Sequence, residues 1–260
     1  MGGLIAGFLG LGGGIFYILV FPYILVWFGI PSENASSFVV ANSMIGIAFA
    51  SGISLVTLFK KVKLYINEIF YIAIPAIITS LLTTIFIVHS SWFSKELFNI
   101  FVIILMLFIL VQMQLKNRRK TNQITLDQNI KPAAGGFSGG ISGFISALSG
   151  LGGGIIIIPI LQIRLNQSTQ KAKIISLAII FISATFISVQ NLLSQPNINI
   201  ESTNNIGYII PSLMLPIIIG TLIGSPIGVK LSWKLKDQII NTLFSIFVLI
   251  VLIEKLVSLF

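Results

Sequence analysis

The sequence predicts an all-α integral membrane protein, an inverted repeat of two halves, each a glycine-broken, re-entrant helix pair plus three transmembrane helices. Three observations lead there. The 260 residues are 55% hydrophobic and 9% charged, with a mean hydropathy of +1.02, whereas a soluble domain has about a quarter of its residues charged. Runs such as Ile100 to Val111 are uniformly apolar, without the polar–apolar alternation of an outer-membrane barrel. Gly10-Leu11-Gly12-Gly13-Gly14 recurs as Gly150-Leu151-Gly152-Gly153-Gly154, each time inside a long apolar stretch. Matching glycine interruptions in two halves are the strongest sequence pointer to a transporter's binding site.

The repeat extends beyond the glycines. Gly3 is echoed by Gly143, and Pro22 by Pro159 once three extra residues in the first copy are allowed for. The same shift sets Ala35 on Ala172, each opening the next apolar segment. The halves are 1–115 and 133–260, joined by a basic linker, 116–132, rich in Asn and Gln.

Eight apolar segments follow in order: 2–29, 34–59, 65–88, 96–115, 134–163, 172–193, 206–229 and 238–259. A span needs about 20 residues. The second, third, fourth, sixth, seventh and eighth satisfy that. The first and fifth carry the glycine sentences, and their pieces of about 11–16 residues are too short to cross a core of about 30 Å.

Charge decides how the fifth segment runs. If all eight segments cross, Lys60, Lys61, Lys63, Lys116, Arg118, Arg119, Lys120 and Lys131 face one side, with Arg164, Lys171, Lys173, Lys230, Lys234 and Lys236 on the other. If the fifth enters and leaves by one face, all of these share a side. Only Lys95 and Lys255 of the sixteen basic residues then remain elsewhere, with Glu33, Glu96 and Glu201, as the positive-inside rule requires. The basic side is then cytoplasmic and the membrane is the cell's inner (plasma) membrane. Repeat symmetry gives the first segment the same hairpin, and three further crossings per half invert the second half. The net charge of +9 is explained by these loops and implies no nucleic-acid partner. Met1-Gly2-Gly3 lacks a basic n-region, so no cleavable signal is expected. There is no cysteine, so neither a disulfide nor a thiol site arises.

Backbone in a bilayer leaves the helix only where protein or a water-filled cavity satisfies it. Gly-Gly-Gly allows the break without steric penalty, and a half-helix starting after it offers free N–H groups and the positive end of its dipole. Two such half-helices would cradle one small anion near the midplane. The candidate substrate-binding residues are Gly12, Gly13, Gly14, Gly152, Gly153 and Gly154, assisted by Asn42, Ser43, Ser149 and Ser176. Pro22 and Pro159 shape the half-helices that follow. A bulky residue at Gly153 is expected to abolish flux while sparing insertion. Gly135, Gly136, Gly139, Gly140 and Gly143 read as packing glycines of the small-residue kind. Ser183 and Thr185 read as helix–helix contacts.

Glu68 and Glu254 are the carboxylates that enter apolar segments, both near span ends, and the single histidine, His89, closes the third segment. Without a buried acid–base or metal-ligand cluster, catalysis has no instruments. No enzyme, metal or cofactor is expected.

The glycine sentence followed by aliphatics and proline, in two copies, resembles the sulfite exporter TauE/SafE family. Leu151-Gly152-Gly153-Gly154-Ile155-Ile156-Ile157-Ile158-Pro159 carries the likeness best, and Pro216-Ile217-Ile218-Ile219-Gly220-Thr221-Leu222-Ile223-Gly224-Ser225 resembles the family's third segment. The first copy departs, with Pro22 three residues late and Ser and Thr in 75–84. The second copy has Asn166-Gln167-Ser168 where the first keeps Gly29-Ile30-Pro31. The resemblance implies a transporter, and an exporter of sulfite or a related sulfur-containing anion. The alternatives are a passive anion channel and a non-transporting assembly or scaffold protein docking through the basic loops. The lipid bilayer and a small anion are the expected partners. The sequence fixes neither a coupling ion nor an oligomeric state, and a homo-oligomer stays open.

Overall fold

The computed structural model describes residues 1–31, 35–59, 65–90, 92–118, 129–196, 204–235 and 237–258. Glu33, Lys60, Lys61, Lys63, Arg119, Lys120, Glu201, Lys236 and most of the linker 116–132 lie outside the described residues. The described chain is helical, with one isolated antiparallel bridge between Ile206 and Ile209.

The helices are α1 (Gly2–Leu9), α2 (Gly14–Trp27), α3 (Ala35–Phe59), α4 (Ile66–Thr83), α5 (Lys95–Arg118), α6 (Pro132–Ser149), α7 (Gly154–Pro159), α8 (Thr169–Leu193), α9 (Pro211–Lys234) and α10 (Asp237–Val257). Single π turns, Thr84–Val88 and Ile160–Arg164, extend α4 and α7. The second follows Pro159 directly, and a proline withholds the N–H that would close the preceding α turn. Five helices are long and apolar enough to cross a membrane, within α3, α4, α5, α8 and α9. α10 is 21 residues long, or roughly 30 Å.

Burial follows the membrane logic. Along α4 and its π turn, Ile66, Phe70, Ile74, Ile78, Leu82 and Ile85 are exposed, flanked by Tyr71 and Phe86, an apolar helical stripe suited to lipid. Polar Asn42, Ser43, Ser51 and Ser54 of α3 are buried. Asn42, Ser51 and Ser54 find carbonyl partners there.

Both glycine-bearing segments double back. A straight helix would hold residues 2 and 13 about 16 Å apart, yet Gly13 packs on the Gly2 carbonyl and Ala6. Likewise the Ser142 hydroxyl donates to the Gly153 carbonyl at 3.1 Å. The pieces are uneven, 8 and 14 residues for α1 and α2, 18 for α6. Pro132 opens α6 as a preformed first-turn residue.

Helix pairing is symmetric under exchange of the halves. α1 packs on α9 as α6 packs on α4; α3 packs on α8, and α5 on α10. Glycines allow the closest of these approaches. A β-carbon on Gly139 would strike the Ile72 carbonyl, and one on Gly7 the Ser225 carbonyl. Gly139 therefore packs as expected, on α4.

The register between halves differs from the one the proline shift suggests. Val40 lies against Gly150 and Lys173 against Gly10, while Ile47 and Ile180 both face Gly12 and Gly152. These contacts pair Val40 with Lys173, Ile47 with Ile180 and hence Ser43 with Ser176, so Ala172 corresponds to Val39. Ser168 caps α8, its side chain accepting from Lys171 N, so α8 starts at Thr169, ahead of Ala172.

Candidate functional site

The two glycine breaks meet. Gly14 lies so close to the second motif that a β-carbon there would sit 2.6 Å from the Leu151 Cα. Residues Gly10 to Gly14 and Gly150 to Gly154 are all buried. The turns are made by left-handed backbone at Gly10, Gly12 and Gly13 in the first copy and at Gly150 and Gly152 in the second. Gly153 instead has φ −58, so the copies differ at their last turn.

α3 and α8 close the seam from either side. Ile47 and Ile180 wedge against both Gly12 and Gly152, and a β-carbon on Gly154 would be 2.8 Å from Ser176 Oγ. Ser43 borders Gly150, with its Cβ 3.7 Å from where a side chain would begin. The hydroxyls of Ser43 and Ser176 are fully buried and have no hydrogen-bond partner among the described residues. An unpartnered buried hydroxyl carries a desolvation penalty of about 1–3 kcal/mol. Two of them, at paired positions beside two helix breaks, are donors available to a ligand.

The other sequence-selected side chains have protein partners. Asn42 Nδ2 donates to the Phe38 carbonyl at 2.8 Å and to the Tyr208 carbonyl at 3.0 Å, while its Oδ1 accepts from Ile210 N at 3.0 Å. It anchors the turn at Ile206–Ile209. Ser149 donates to the Ile145 carbonyl at 2.6 Å and accepts from Leu151 N at 3.2 Å, which supports the bend into the second break. Pro22 lies inside α2, and Pro159 ends α7 ahead of its π turn.

Sequence reasoning missed three groups. Ser146 has a buried hydroxyl without a partner among the described residues, and its carbonyl accepts from Gly150 N. Lys173 lies across the first break, with Nζ 3.4 Å from the Phe8 carbonyl at the end of α1. Lys171 is 1% exposed and forms an ion pair with Glu68 at 3.6 Å, its ammonium 4.6 Å from the Tyr65 ring. The sequence grouped both lysines with the basic residues of the cytoplasmic face, and they sit on α8 inside the fold. The one available signal was spacing: Lys173, Ser176 and Ile180 recur at i, i+3 and i+7 on one helix face.

The opposite end of the bundle is closed by rings. Tyr208 stacks on His89 with centroids 4.2 Å apart and meets Phe38 at 5.1 Å, and His89 Nε2 hydrogen-bonds Asn191 Oδ1 at 2.8 Å. Burial pushes the His89 imidazole below its ordinary pKa, against an opposing contribution from the Asn191 hydrogen bond. The folded state therefore resists protonation that the unfolded chain accepts near pH 6.5. Stability is complete above that value and declines as pH falls below it. The melting temperature should drop on acidification from neutral pH, and His89→Gln should flatten that dependence.

Membrane-length helices packed around two meeting backbone breaks define a polytopic α-helical membrane protein of the transporter class. The chain belongs to the sulfite exporter TauE/SafE family, whose sequence model matches residues 1–254. A protein of Methanocaldococcus jannaschii, described as a probable membrane transporter protein, is 27% identical over 246 residues, covering 94% of this chain and 87% of its own. No solved structure matches the chain. The protein is thus a multi-pass membrane transporter and not an enzyme.

Proposed function

We propose that this protein moves a small sulfur-containing oxyanion, such as sulfite, out of the cell across the inner membrane by alternating access. The meeting of the two glycine breaks beside the unpartnered hydroxyls of Ser43 and Ser176 carries this reading. Gly12, Gly13, Gly14, Gly152, Gly153 and Gly154 give the backbone its turns, and the first N–H groups of α2 and of the α7 run point at the ligand. Ser43 and Ser176 donate to anion oxygens. Asn42, Ser149, Pro22 and Pro159 hold the surrounding backbone in place. The exchange-symmetric packing supports an inverted repeat with halves 1–115 and 133–260, and the family supports the substrate class.

The two closures fit the rocking of one half against the other. Lys171, Glu68 and Tyr65 seal the end where α8 begins. Phe38, Tyr208 and His89 seal the end where α3 begins. Phe38 and Lys171 are paired positions in the register that the glycine contacts define. Opening one closure while the other holds would expose the seam to one side at a time.

Uptake and efflux of labelled sulfite and thiosulfate in proteoliposomes test the function. Saturable flux with counterflow is expected of a carrier; linear flux without counterflow would make the protein a channel. Topology is tested separately, because the native chain has no cysteine. Single cysteines at residues 120, 168 and 234 should react with an impermeant reagent from the cytoplasm only, and external labelling at 168 would overturn the hairpin.

A further inference from the structure

The α3 and α8 faces that border the seam are paired residue for residue, except at one place. Val40, Ser43 and Ile47 on α3 correspond to Lys173, Ser176 and Ile180 on α8. Two of the three pairs match in chemistry, Ser with Ser and Ile with Ile. The third sets a fully buried valine against a half-buried lysine. Among these three pairs, the formal charge lies on the α8 member of one.

Lys173 is an uncomfortable residue for its place. It lies five positions into α8, near the positive end of that helix dipole, where a cation is disfavoured. Its methylenes cross Gly10, whose β-carbon would be 3.1 Å from Lys173 Cγ, and its ammonium reaches the Phe8 carbonyl. That carbonyl belongs to the C-terminal, negative end of α1, which compensates the placement. Helical side chains lean toward their own N-terminus. The ammonium therefore lies beyond Ser176 on the side where α8 begins, between that end of the bundle and the first glycine break.

We propose that Lys173 is the charge-selecting residue of the anion path, and that it acts on one side only. An anion approaching from the end where α8 begins meets a positive charge before the seam. One approaching from the other end meets Val40 and the Phe38–Tyr208–His89 rings. The carrier then binds its anion more tightly from the α8-start side, which the charge rule makes the cytoplasmic one. This rests on the transport reading and deepens it, since such asymmetry loads anions for export at low internal concentration.

The test measures the sulfite KM separately for efflux and uptake, using proteoliposomes of defined protein orientation. Wild type is expected to show a KM lower by about tenfold from the α8-start side, the size of one charge-assisted contact. Lys173→Gln keeps a donor for the Phe8 carbonyl, and a melting curve on the same sample establishes that the variant is folded. It should raise the KM about tenfold on that side alone, with kcat from that side rising in step, because an uncoupled carrier has the same kcat/KM in both directions. Lys173→Arg should retain the asymmetry. If wild type binds and moves sulfite while Lys173→Gln leaves both KM values unchanged, Lys173 is not the selecting residue. A wild type that neither moves nor binds sulfite overturns the transport reading and this assignment with it.

Discussion

Gly14→Ala is expected to abolish transport and lower the melting temperature, while Gly220→Ala does neither. The added carbon at Gly14 would land on the Leu151 backbone, 2.6 Å from its Cα and closer still to its carbonyl. Backbone cannot rotate away as a side chain can, so the two breaks must part. Overpacking of this kind costs about 1–3 kcal/mol or more, and the loss falls where the substrate donors converge. At Gly220 a β-carbon meets nothing within 4 Å, and alanine in a helix interior gains about 0.5–1 kcal/mol over glycine. Melting curves and flux for both variants check the contrast. Gly153→Leu, the substitution the sequence alone suggests, is a poorer probe. Its side chain would begin on the Ser142 hydroxyl and 2.8 Å from the Ser142 carbonyl, so it would disturb α6 packing as well as the site.

Glu68→Gln should lower the melting temperature strongly. Lys171 is 1% exposed and Glu68 10% exposed at the side chain, with 3.6 Å between them. Removing the carboxylate leaves a buried ammonium facing a neutral amide. Breaking a buried pair in this way costs about 3–5 kcal/mol, whereas replacing both partners with apolar or neutral groups is often tolerated. The Glu68→Gln/Lys171→Met double variant should therefore recover most of the melting temperature lost in Glu68→Gln. A double variant no more stable than Glu68→Gln would mean that Tyr65 and the neighbouring helices, not the ion pair, hold this end shut.

Much of the fold was legible because hydropathy reports what faces lipid. The stripe from Ile66 to Ile85 on α4 reads directly as a span, and Gly-Gly-Gly reads as a break because few other sequences permit one. The pairing of the halves was not legible. It is set by which side chains wedge into the glycine turns, Ile47 and Ile180 against Gly12 and Gly152, a tertiary choice that leaves no trace in periodicity. Counting from Pro22 and Pro159 gave Ala172 the wrong mate for that reason. Asn42 shows a different limit. A buried amide looks like a ligand donor in sequence, but three backbone contacts around Tyr208 and Ile210 engage it. Ser43 and Ser176 look no different in sequence, and what singles them out is that they are unpartnered in the described fold and lie at paired positions beside the glycine breaks. Lys171 and Lys173 were hidden by their surroundings, since lysines beside Gln170 and Ser168 resemble a solvated helix start.

If the seam between the two breaks binds an oxyanion through Ser43 and Ser176, sulfite flux in proteoliposomes carrying the Ser43→Ala/Ser176→Ala variant should reveal it, with a melting curve on the same sample. Removing two unpartnered buried hydroxyls leaves no orphaned partner, so stability should hold or rise. Each lost donor should raise the sulfite KM about tenfold or more, since a hydrogen bond to a charged group is worth about 1.5–3 kcal/mol. A well-folded double variant with a weakened KM is the predicted result. Wild-type flux and KM in a variant of unchanged stability would contradict the site.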